Sequence, residues 1–218
     1  SIETRPILAS PGVTADSLEI WCGTQGPVGL AEQISTALSL PLEKVRVRTP
    51  DVGGSFGFKI FLHPEQLCLS WAARRLGKLV RWQQSRSEAF VADLQGRDNR
   101  SRVSALFDKD GRVHALKVQV HANMGAWLSN FSTYIPTMSG CRTLTTIYDI
   151  PAASLRVIGV VTNTPAVDAY RGAGRPEANY LMERLMDHIA RLTGKSRVEI
   201  RKTNMITASQ IPYTMPVG

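Results

Sequence analysis

The chain has 218 residues, of which 43% are hydrophobic and 20% charged, a balance typical of a globular protein with room for one large domain or two small ones. Its longest apolar runs are only as long as a strand, which excludes a membrane-spanning helix. The formal net charge of +8 favours an anionic partner, but the basic residues are spread along the chain without a basic arm or a nucleic-acid motif, so we expect no nucleic-acid binding.

Cysteine and histidine residues are few and far apart. The cysteines are at positions 22, 68 and 141, and the histidines are at positions 63, 114, 121 and 188. An odd number of cysteines argues against a disulfide framework, and the spacing fits no zinc-site pattern. We therefore expect a reducing, cytoplasmic setting. We also expect no metal site built from side chains, so that any metal would arrive on a cofactor.

In the first half of the chain, the residue patterns predict three strands and two helices. The strands are predicted at residues 17–21, 45–49 and 79–83, and the helices at residues 27–40 and 63–76. Pro27 suits the first turn of the first helix, and Gly77 suits the end of the second. Leu67 and Trp71 form the apolar stripe of the second helix.

In the second half, the period of the pattern changes to two and predicts a long β-hairpin. Val103, Ala105 and Phe107 alternate with polar residues, and the Lys-Asp-Gly-Arg sequence at residues 109–112 supplies the turn. Further elements are a strand at residues 154–161, helices at residues 176–192 and 197–203, and loops at residues 124–147 and 163–175.

The mixture of helices and hairpin strands predicts an α+β fold rather than a regular series of βαβ units. The longest predicted helix has an apolar stripe of Leu181, Leu185, Ile189 and Leu192. We expect residues 1–206 to form one part of a larger domain and residues 207–218 to be a frayed tail.

The turn Thr24-Gln25-Gly26 lies between the first predicted strand and the first predicted helix. A carboxamide at this position can exchange hydrogen bonds with a ligand at a helix N-terminus, where anions also bind favourably. The alternative is a turn residue that bonds its own backbone. For Gln25 taken alone, both interpretations stay open.

The loop from Asp51 to Lys59 leads from a predicted strand towards a predicted helix and places three glycines around Phe56. Glycine adopts positive φ and lets the backbone approach a ligand closely, and an aromatic ring in such a loop suits packing against a flat or apolar molecule. The spacing matches neither the dinucleotide fingerprint nor the P-loop. We interpret the loop as a backbone surface for a large cofactor, with Phe56 as a wall of a substrate pocket; a merely tight connection is the alternative.

Arg171 lies beside Gly172 in a loop directly before the longest predicted helix. A guanidinium at this position could hold an oxyanion or a carbonyl oxygen. The alternative is an ion pair between Arg171 and a nearby carboxylate, such as that of Asp168 or Glu177.

The three elements occur in the order Thr-Gln-Gly, Gly-Gly-x-Phe-Gly and Ala-Tyr-Arg-Gly-x-Gly. In that order, and over residues 3–205, the chain resembles the molybdenum-binding (large) subunit of the xanthine oxidase/aldehyde oxidase/carbon monoxide dehydrogenase family of molybdenum hydroxylases, and only its first molybdopterin-binding domain. Supporting stretches are residues 148–151, 162–165 and 198–204.

The resemblance implies a molybdopterin cofactor, in the cytosine dinucleotide form of a bacterial protein, whose dithiolene rather than a protein side chain holds molybdenum. The implied cofactor-binding residues are Gln25, Gly54, Phe56, Gly57, Arg171 and Gly172. Gln25 would contact an apical oxo ligand of the metal and Phe56 would flank the substrate. Arg171 would contact the substrate and polarise its oxygen in the transition state.

Four departures from the family's motifs bear on the substrate. Gly172 replaces the cysteine that would hold copper in the carbon monoxide enzymes. Ile60 stands where xanthine enzymes carry a glutamate, and Ser139, with Arg142 nearby, stands where they use a second arginine. Ala173 replaces an aromatic residue, which should widen or reshape the pocket. The resemblance therefore implies an aldehyde or an N-heteroaromatic substrate rather than carbon monoxide or a purine.

In the family, the glutamate general base and further cofactor-binding loops lie in the C-terminal half of a much longer subunit. We expect this chain to be one domain of such a subunit and to be inactive alone, because that general base is absent from it. The implied partners are the remaining half of the large subunit, iron–sulfur and FAD subunits that take up the electrons, and a small-molecule substrate. Two other function classes stay open, which are a non-catalytic anion- or nucleotide-binding module and an assembly chain.

Overall fold

The computed structural model describes residues 1–14 and 16–217. The chain divides into two compact units, Ser1–Asp93 and Leu94–Gly218. The first unit contains β1 (Pro6–Pro11), β2 (Leu18–Cys22), α1 (Pro27–Leu38), β3 (Val45–Arg48), α2 (Pro64–Leu76), β4 (Val80–Gln83) and α3 (Arg86–Ala92). The second unit contains β5 (Asn99–Phe107), β6 (Val113–Gly125), β7 (Ala153–Val161), α4 (Arg175–Thr193) and α5 (Arg197–Asn204). Both units mix helices with strands, which confirms the α+β fold.

The sheet of the first unit has four strands in the order β3-β2-β1-β4. Strands β2 and β3, joined through helix α1, run parallel, and the other neighbouring strands are antiparallel. The core of this unit includes Ile20 from the sheet and Leu30 and Ile34 from α1, all fully buried. This scaffold fixes the ends of β2 and β3, after which the turn at residues 24–26 and the loop at residues 51–59 begin.

The strands and helices predicted for the first unit are confirmed, with ends that differ by two residues or fewer. Strand β1 and helix α3 were not predicted, since one begins and ends at proline and the other has only seven residues. The apolar stripe predicted for α2 is wrong, because Trp71 is 58% exposed. The buried face of α2 instead includes Gln66 and Ser70, and the Ser70 hydroxyl is satisfied by the Gln66 carbonyl at 2.7 Å.

Helix α2 begins after His63, whose imidazole is buried. The Nε2–H of His63 donates to the Phe58 carbonyl at 2.8 Å, and its backbone N–H donates to Gln66 Oε1 at 2.9 Å. Burial, assisted by the positive charge of Arg5, lowers the pKa of His63 from 6.5 to about 4. A neutral His63 therefore ties the first turn of α2 to the end of the loop at residues 51–59.

This pKa shift predicts that the protein loses stability as the pH is lowered. Below about pH 6.5 the unfolded chain binds a proton at His63, whereas the folded chain does not until about pH 4, so the free energy of unfolding decreases across this window. The full difference is about 3 kcal/mol. We expect His63→Asn, which keeps a side chain suited to a helix N-cap, to flatten this dependence in urea unfolding followed by tryptophan fluorescence. A variant with the wild-type slope would show that His63 does not titrate here.

The sheet of the second unit has three strands in the order β5-β6-β7. Strands β5 and β6 form the predicted antiparallel hairpin, and β7 runs parallel to β6. Helix α4 contributes Met182, Met186 and Ile189 to the core, where all three are fully buried. Tyr148 lies in the same core and donates through its hydroxyl to Glu183 Oε1 at 2.6 Å. Among the described residues, no helix is both long and apolar enough to cross a membrane.

The hairpin, the following strand and both helices predicted for the second unit are confirmed. The stripe predicted for α4 is displaced around the helix: Leu192 is 62% exposed, whereas Ala178, which was not predicted, is buried. Met182 and Met186, which the predicted stripe omitted, are fully buried on this face, where their flexible side chains fill the core.

The prediction that residues 124–147 form a loop is wrong in part. Strand β6 extends to Gly125, and residues Ile135–Ser139 form a single π-helical turn. The Thr137 hydroxyl donates to the Thr133 carbonyl at 2.6 Å. A hydroxyl bonded to the i−4 carbonyl bends and slightly destabilises a regular helix, which is consistent with a single irregular turn in a Ser/Thr-rich stretch that lacks apolar periodicity.

The tail at residues 207–218, which the sequence predicts to be frayed, contains a 3-10 turn at Ala208–Gln210. Gln210 Nε2 and the Tyr213 hydroxyl each donate to the Asp149 carboxylate at 2.9 Å. Residue 218 lies outside the described residues. Two side chains of the tail thus bind the body of the second unit.

Candidate functional site

Gln25 and the glycine loop meet in the first unit. Oε1 of Gln25 accepts hydrogen bonds from the Ser55 hydroxyl and from the Gly57 N–H, the latter at 2.7 Å. Within the described ranges, Nε2 of Gln25 has no hydrogen-bond partner, and the residue is exposed. Two donors on the oxygen fix which end of the amide faces the loop, so the Nε2 group is left as a donor for a ligand.

The same loop presents three successive backbone N–H groups at Gly54, Ser55 and Phe56. None of the three donates a hydrogen bond to any residue that the structure describes. Gly54 and Phe56 have positive φ, at 95° and 60°. Positive φ is uncommon for a bulky residue and costs backbone strain that the surrounding contacts must hold. Successive unpaired amides in such a turn form a concave surface that binds anions.

The Phe56 ring is 44% exposed beside these amides. It also lies against the Gly54 backbone, because a Cβ added at Gly54 would come within 2.9 Å of Phe56 Cε2. Glycine at this position therefore lets the ring fold over the loop. The arrangement provides an apolar wall next to a row of hydrogen-bond donors.

An ion pair between a buried lysine and a partly exposed glutamate fixes the position of the loop. Lys59, with a side chain only 1% exposed, places Nζ 2.6 Å from Glu3 Oε2. That same oxygen accepts the Gly53 N–H at 2.9 Å. The Lys59 carbonyl accepts the Gln25 N–H at 3.2 Å and the Thr24 hydroxyl at 2.9 Å. Glu3 and Lys59 thus connect both ends of the loop with the turn that carries Gln25.

Arg171 lies in the second unit, in a loop with three consecutive positive φ angles. The values are 99° at Gly172, 43° at Ala173 and 91° at Gly174. The Ser139 hydroxyl donates to the Ala173 carbonyl at 2.6 Å and so fixes the middle of the loop. This backbone leads directly into helix α4, where the N-terminal end of the helix favours an anion.

Arg97 contacts the backbone and a side chain of the Arg171 loop. Its guanidinium donates to the Arg171 carbonyl and lies 4.6 Å from the centre of the Tyr170 ring. Neither carboxylate that the sequence offered as an ion-pair partner binds Arg171. Asp168 accepts the Phe131 N–H at 3.0 Å, and Glu177 faces Arg97 at 3.9 Å. In the part of the chain that is described, the exposed Arg171 guanidinium forms no ion pair.

Gly172 occupies a position that a larger residue cannot enter without a backbone shift. A Cβ added there would lie 2.5 Å from Pro176 Cγ and 2.7 Å from Pro176 Cδ. With φ at 99°, the backbone is also strained for any L side chain. The cysteine expected in carbon monoxide enzymes therefore does not fit this loop as it stands.

We expect Gly172→Ala to lower the free energy of unfolding by roughly 2 to 3 kcal/mol, through φ strain and the clash with Pro176. Gly194→Ala is the matched control, because its φ is 69° with nothing within 4 Å of an added Cβ. It should cost only about 1 kcal/mol. Urea denaturation of both variants measures the difference, and equal losses would mean that the loop yields to the methyl group.

The sequence did not reveal the residues that position the two loops. Glu3 is 50 residues away from its bonding partner Gly53, and Arg97 is 74 residues away from Arg171. Lys59 was seen only as the residue that ends the loop. No pattern in the sequence linked Lys59 to Glu3, because β1, which brings Glu3 to the loop, was itself not predicted.

These residues suit an anionic cofactor that carries its own metal ligands. Such a group needs hydrogen-bond donors from the protein, and the first unit supplies the Gln25 amide with the unpaired N–H groups of Gly54, Ser55 and Phe56. Among the described residues, no cluster of His, Cys, Asp or Glu side chains is arranged to hold a metal ion. The donor set thus fits a molybdenum cofactor bound through hydrogen bonds.

Comparison with known proteins gives the same assignment. A family model for the molybdopterin cofactor-binding domain matches residues 1–205. The gamma subunit of the 6-hydroxypseudooxynicotine dehydrogenase complex of Paenarthrobacter nicotinovorans is 30% identical over 98% of this chain and 27% of its own length. The carbon monoxide dehydrogenase large chain of Hydrogenophaga pseudoflava is 32% identical over 100% of this chain and 27% of its own length.

A solved structure extends the similarity to the fold. Quinoline 2-oxidoreductase from Pseudomonas putida 86 matches with a TM-score of 0.93 and 34% identity, over 98% of this chain and 27% of that one. The chain thus spans about a quarter of the length of the relatives it matches. The resemblance to the large subunit of molybdenum hydroxylases is confirmed, and the chain belongs to the molybdopterin cofactor-binding domain family.

Proposed function

We propose that this chain forms part of the cofactor site of a molybdenum hydroxylase, an oxidoreductase that hydroxylates an aldehyde or an N-heteroaromatic substrate. The observation that carries the proposal is the Gln25 amide, whose oxygen is held by Ser55 and Gly57 while its nitrogen is left to donate. Relatives named for 6-hydroxypseudooxynicotine and quinoline support an N-heteroaromatic substrate. The lack of space for a side chain at Gly172 argues against a loop that binds copper through a cysteine at this position.

On this proposal, the cofactor is molybdopterin in its cytosine dinucleotide form, which supplies the redox chemistry when bound. Nε2 of Gln25 donates a hydrogen bond to an acceptor on the cofactor. The loop backbone from Gly54 to Gly57 lies against the cofactor, with unpaired N–H groups available to its anionic part. The ion pair of Glu3 and Lys59 keeps these donors in place before the cofactor binds, which lowers the entropic cost of binding.

The substrate is oriented by two groups of this chain. The exposed ring of Phe56 provides a flat apolar wall. The unpaired guanidinium of Arg171 stabilises negative charge on the substrate in the transition state and also contacts the cofactor, as does the Gly172 backbone. The small side chain of Ala173 leaves room for a ring system. The general base, the iron–sulfur clusters and FAD are supplied by other domains or subunits, and the assembly is cytoplasmic.

Metal and pterin analysis tests the proposal directly. The chain is produced together with the polypeptide that supplies the rest of the large subunit, and the purified assembly is assayed for molybdenum by mass spectrometry. Acid treatment followed by chromatography shows whether cytidine monophosphate is released, as the dinucleotide form requires. An assembly that contains neither, from cells that load cofactor into a related enzyme, would instead favour a non-catalytic anion-binding module.

We expect Gln25→Glu to lower the molybdenum content of that assembly about tenfold. The glutamate keeps an oxygen for the Ser55 and Gly57 donors but replaces the amide donor by a carboxylate oxygen, which repels an anionic cofactor. Gln33→Glu is the matched control, since Gln33 Oε1 also accepts a backbone N–H, from Leu62 at 3.3 Å. Equal molybdenum content in both variants would remove Gln25 from the cofactor site.

A further inference from the structure

An open groove of about 800 Å³ runs beside β5 in the second unit. Its floor is apolar and includes Val103, Leu181 and Leu185, and its rim carries Arg184 and Arg191 from α4. The rim also includes Arg97, so that three arginines outnumber the single carboxylate of the lining, Glu177. The groove therefore combines an apolar base with positive charge.

The groove lies along an unpaired strand edge, because β5 is the outer strand of the order β5-β6-β7. The Asn123 N–H donates to the Asp98 carbonyl at 2.9 Å, and Asp98 precedes β5 in the same register. Hydrogen-bonded pairs alternate along an antiparallel ladder, so the even-numbered residues of β5 bond to β6. The backbone groups of Ser101, Val103 and Ala105 therefore face outwards. Edges of this kind accept a further strand.

The opposite face of the same sheet is also basic. The register places Arg102 beside Gln119 and Arg156, with Arg100 and Lys117 in the adjoining rows. All four cationic side chains are exposed, and within the described ranges none forms an ion pair. A strand added along β5 would thus have arginines on both of its faces. This charge distribution selects for acidic residues and opposes pairing of two β5 edges from two copies of the chain.

We propose that an extended, acidic segment of another polypeptide binds along the outer edge of β5 and adds a fourth strand to the sheet. Its apolar residues point into the groove against Val103, Leu181 and Leu185. Its acidic residues alternate with them and face Arg100 and Arg102. We do not place the segment on the β7 edge, because the groove that receives its apolar residues is lined by β5 and α4.

Hydrogen exchange with a defined probe tests the proposal on the 218-residue chain. The probe is a peptide as long as β5, 9 residues, in which glutamate and valine alternate. In the free chain, the amides of Arg100, Arg102 and Ser104 should exchange slowly, which shows that the sheet is folded. The outward amides of Ser101, Val103 and Ala105 should exchange fast and be slowed about tenfold or more by the peptide. Unchanged exchange at these amides would overturn the proposal.

Three comparisons identify the occupant. A peptide of alternating lysine and valine should not bind, and binding as strong as that of the acidic peptide would contradict the charge argument. Ser101→Pro removes an outward N–H without loss of a ladder bond, so it should abolish peptide binding, whereas Ser101→Ala should not. Dimerisation of the chain, measured by light scattering, would reject the proposal. Protection of the same amides by single-stranded DNA, but not by the acidic peptide, would also reject it.

Discussion

Glu3→Gln is expected to lower the free energy of unfolding of the first unit by about 3 kcal/mol. The Lys59 side chain is 1% exposed, and Glu3 is the carboxylate that faces its ammonium, at 2.6 Å. The glutamine can still accept the Gly53 N–H, so the backbone contact survives. What is lost is the counter-charge, and an uncompensated charge in a buried position is costly.

Replacement of the other member of the ion pair, Lys59, should lower the free energy of unfolding much less. The Glu3 side chain is 28% exposed, so in Lys59→Met it can reach water while the methionine fills the space of the lysine stem. We expect a loss of about 1 kcal/mol or less, and the double variant should recover most of the stability that Glu3→Gln loses. Urea denaturation followed by tryptophan fluorescence measures all three, with Glu32→Gln on the exposed face of α1 as the control. Equal losses for the two single variants would show that Lys59 is hydrated.

The elements that carry the site could be predicted because their signals are local. Pro27 and Gly77 mark helix ends, and the glycines around Phe56 mark a strained loop, all within a few residues of the feature they determine. The family resemblance implied that Gln25 and the loop bind one cofactor, but it did not predict that they bond to each other. Nothing in the spacing of residues 25 and 57 determines that the amide oxygen receives the Gly57 N–H.

What could not be predicted depends on contacts between distant residues. Strand β1 is held by pairing with β2 and β4 rather than by its own composition. It brings Glu3, just before its start, to Lys59, and no local pattern announces this contact. The apolar stripe predicted for α2 was wrong for a related reason. Periodicity assigns Trp71 to the core, but the tertiary packing buries Ser70, whose hydroxyl bonds within the helix.

The Arg171 loop offers the largest expected effect on catalysis. In the assembled enzyme, Arg171→Ala should lower kcat/KM about 10²- to 10³-fold, the usual loss when a donor that stabilises transition-state charge is removed. The structure supports this because the guanidinium is exposed and unpaired among the described residues, while Arg97 binds its carbonyl and leaves the side chain available. Arg171→Lys should recover only part of the activity, since an ammonium lacks the planar pair of donors.

Three quantities measured together separate a role of Arg171 in catalysis from a role in holding the structure. The free energy of unfolding should stay at the wild-type value in Arg171→Ala, because the side chain forms no ion pair within residues 94–217. Molybdenum content is measured so that turnover can be expressed per molybdenum, which separates a lost contact with the cofactor from a lost contact with the substrate. Turnover per molybdenum should fall, and mainly through kcat, because the guanidinium acts most strongly on the charge that develops in the transition state. Arg197→Ala, which removes an exposed arginine paired with Asp187 at 3.6 Å, should leave turnover unchanged. Turnover of Arg171→Ala equal to that of this control would remove Arg171 from the active site and leave substrate orientation to Phe56.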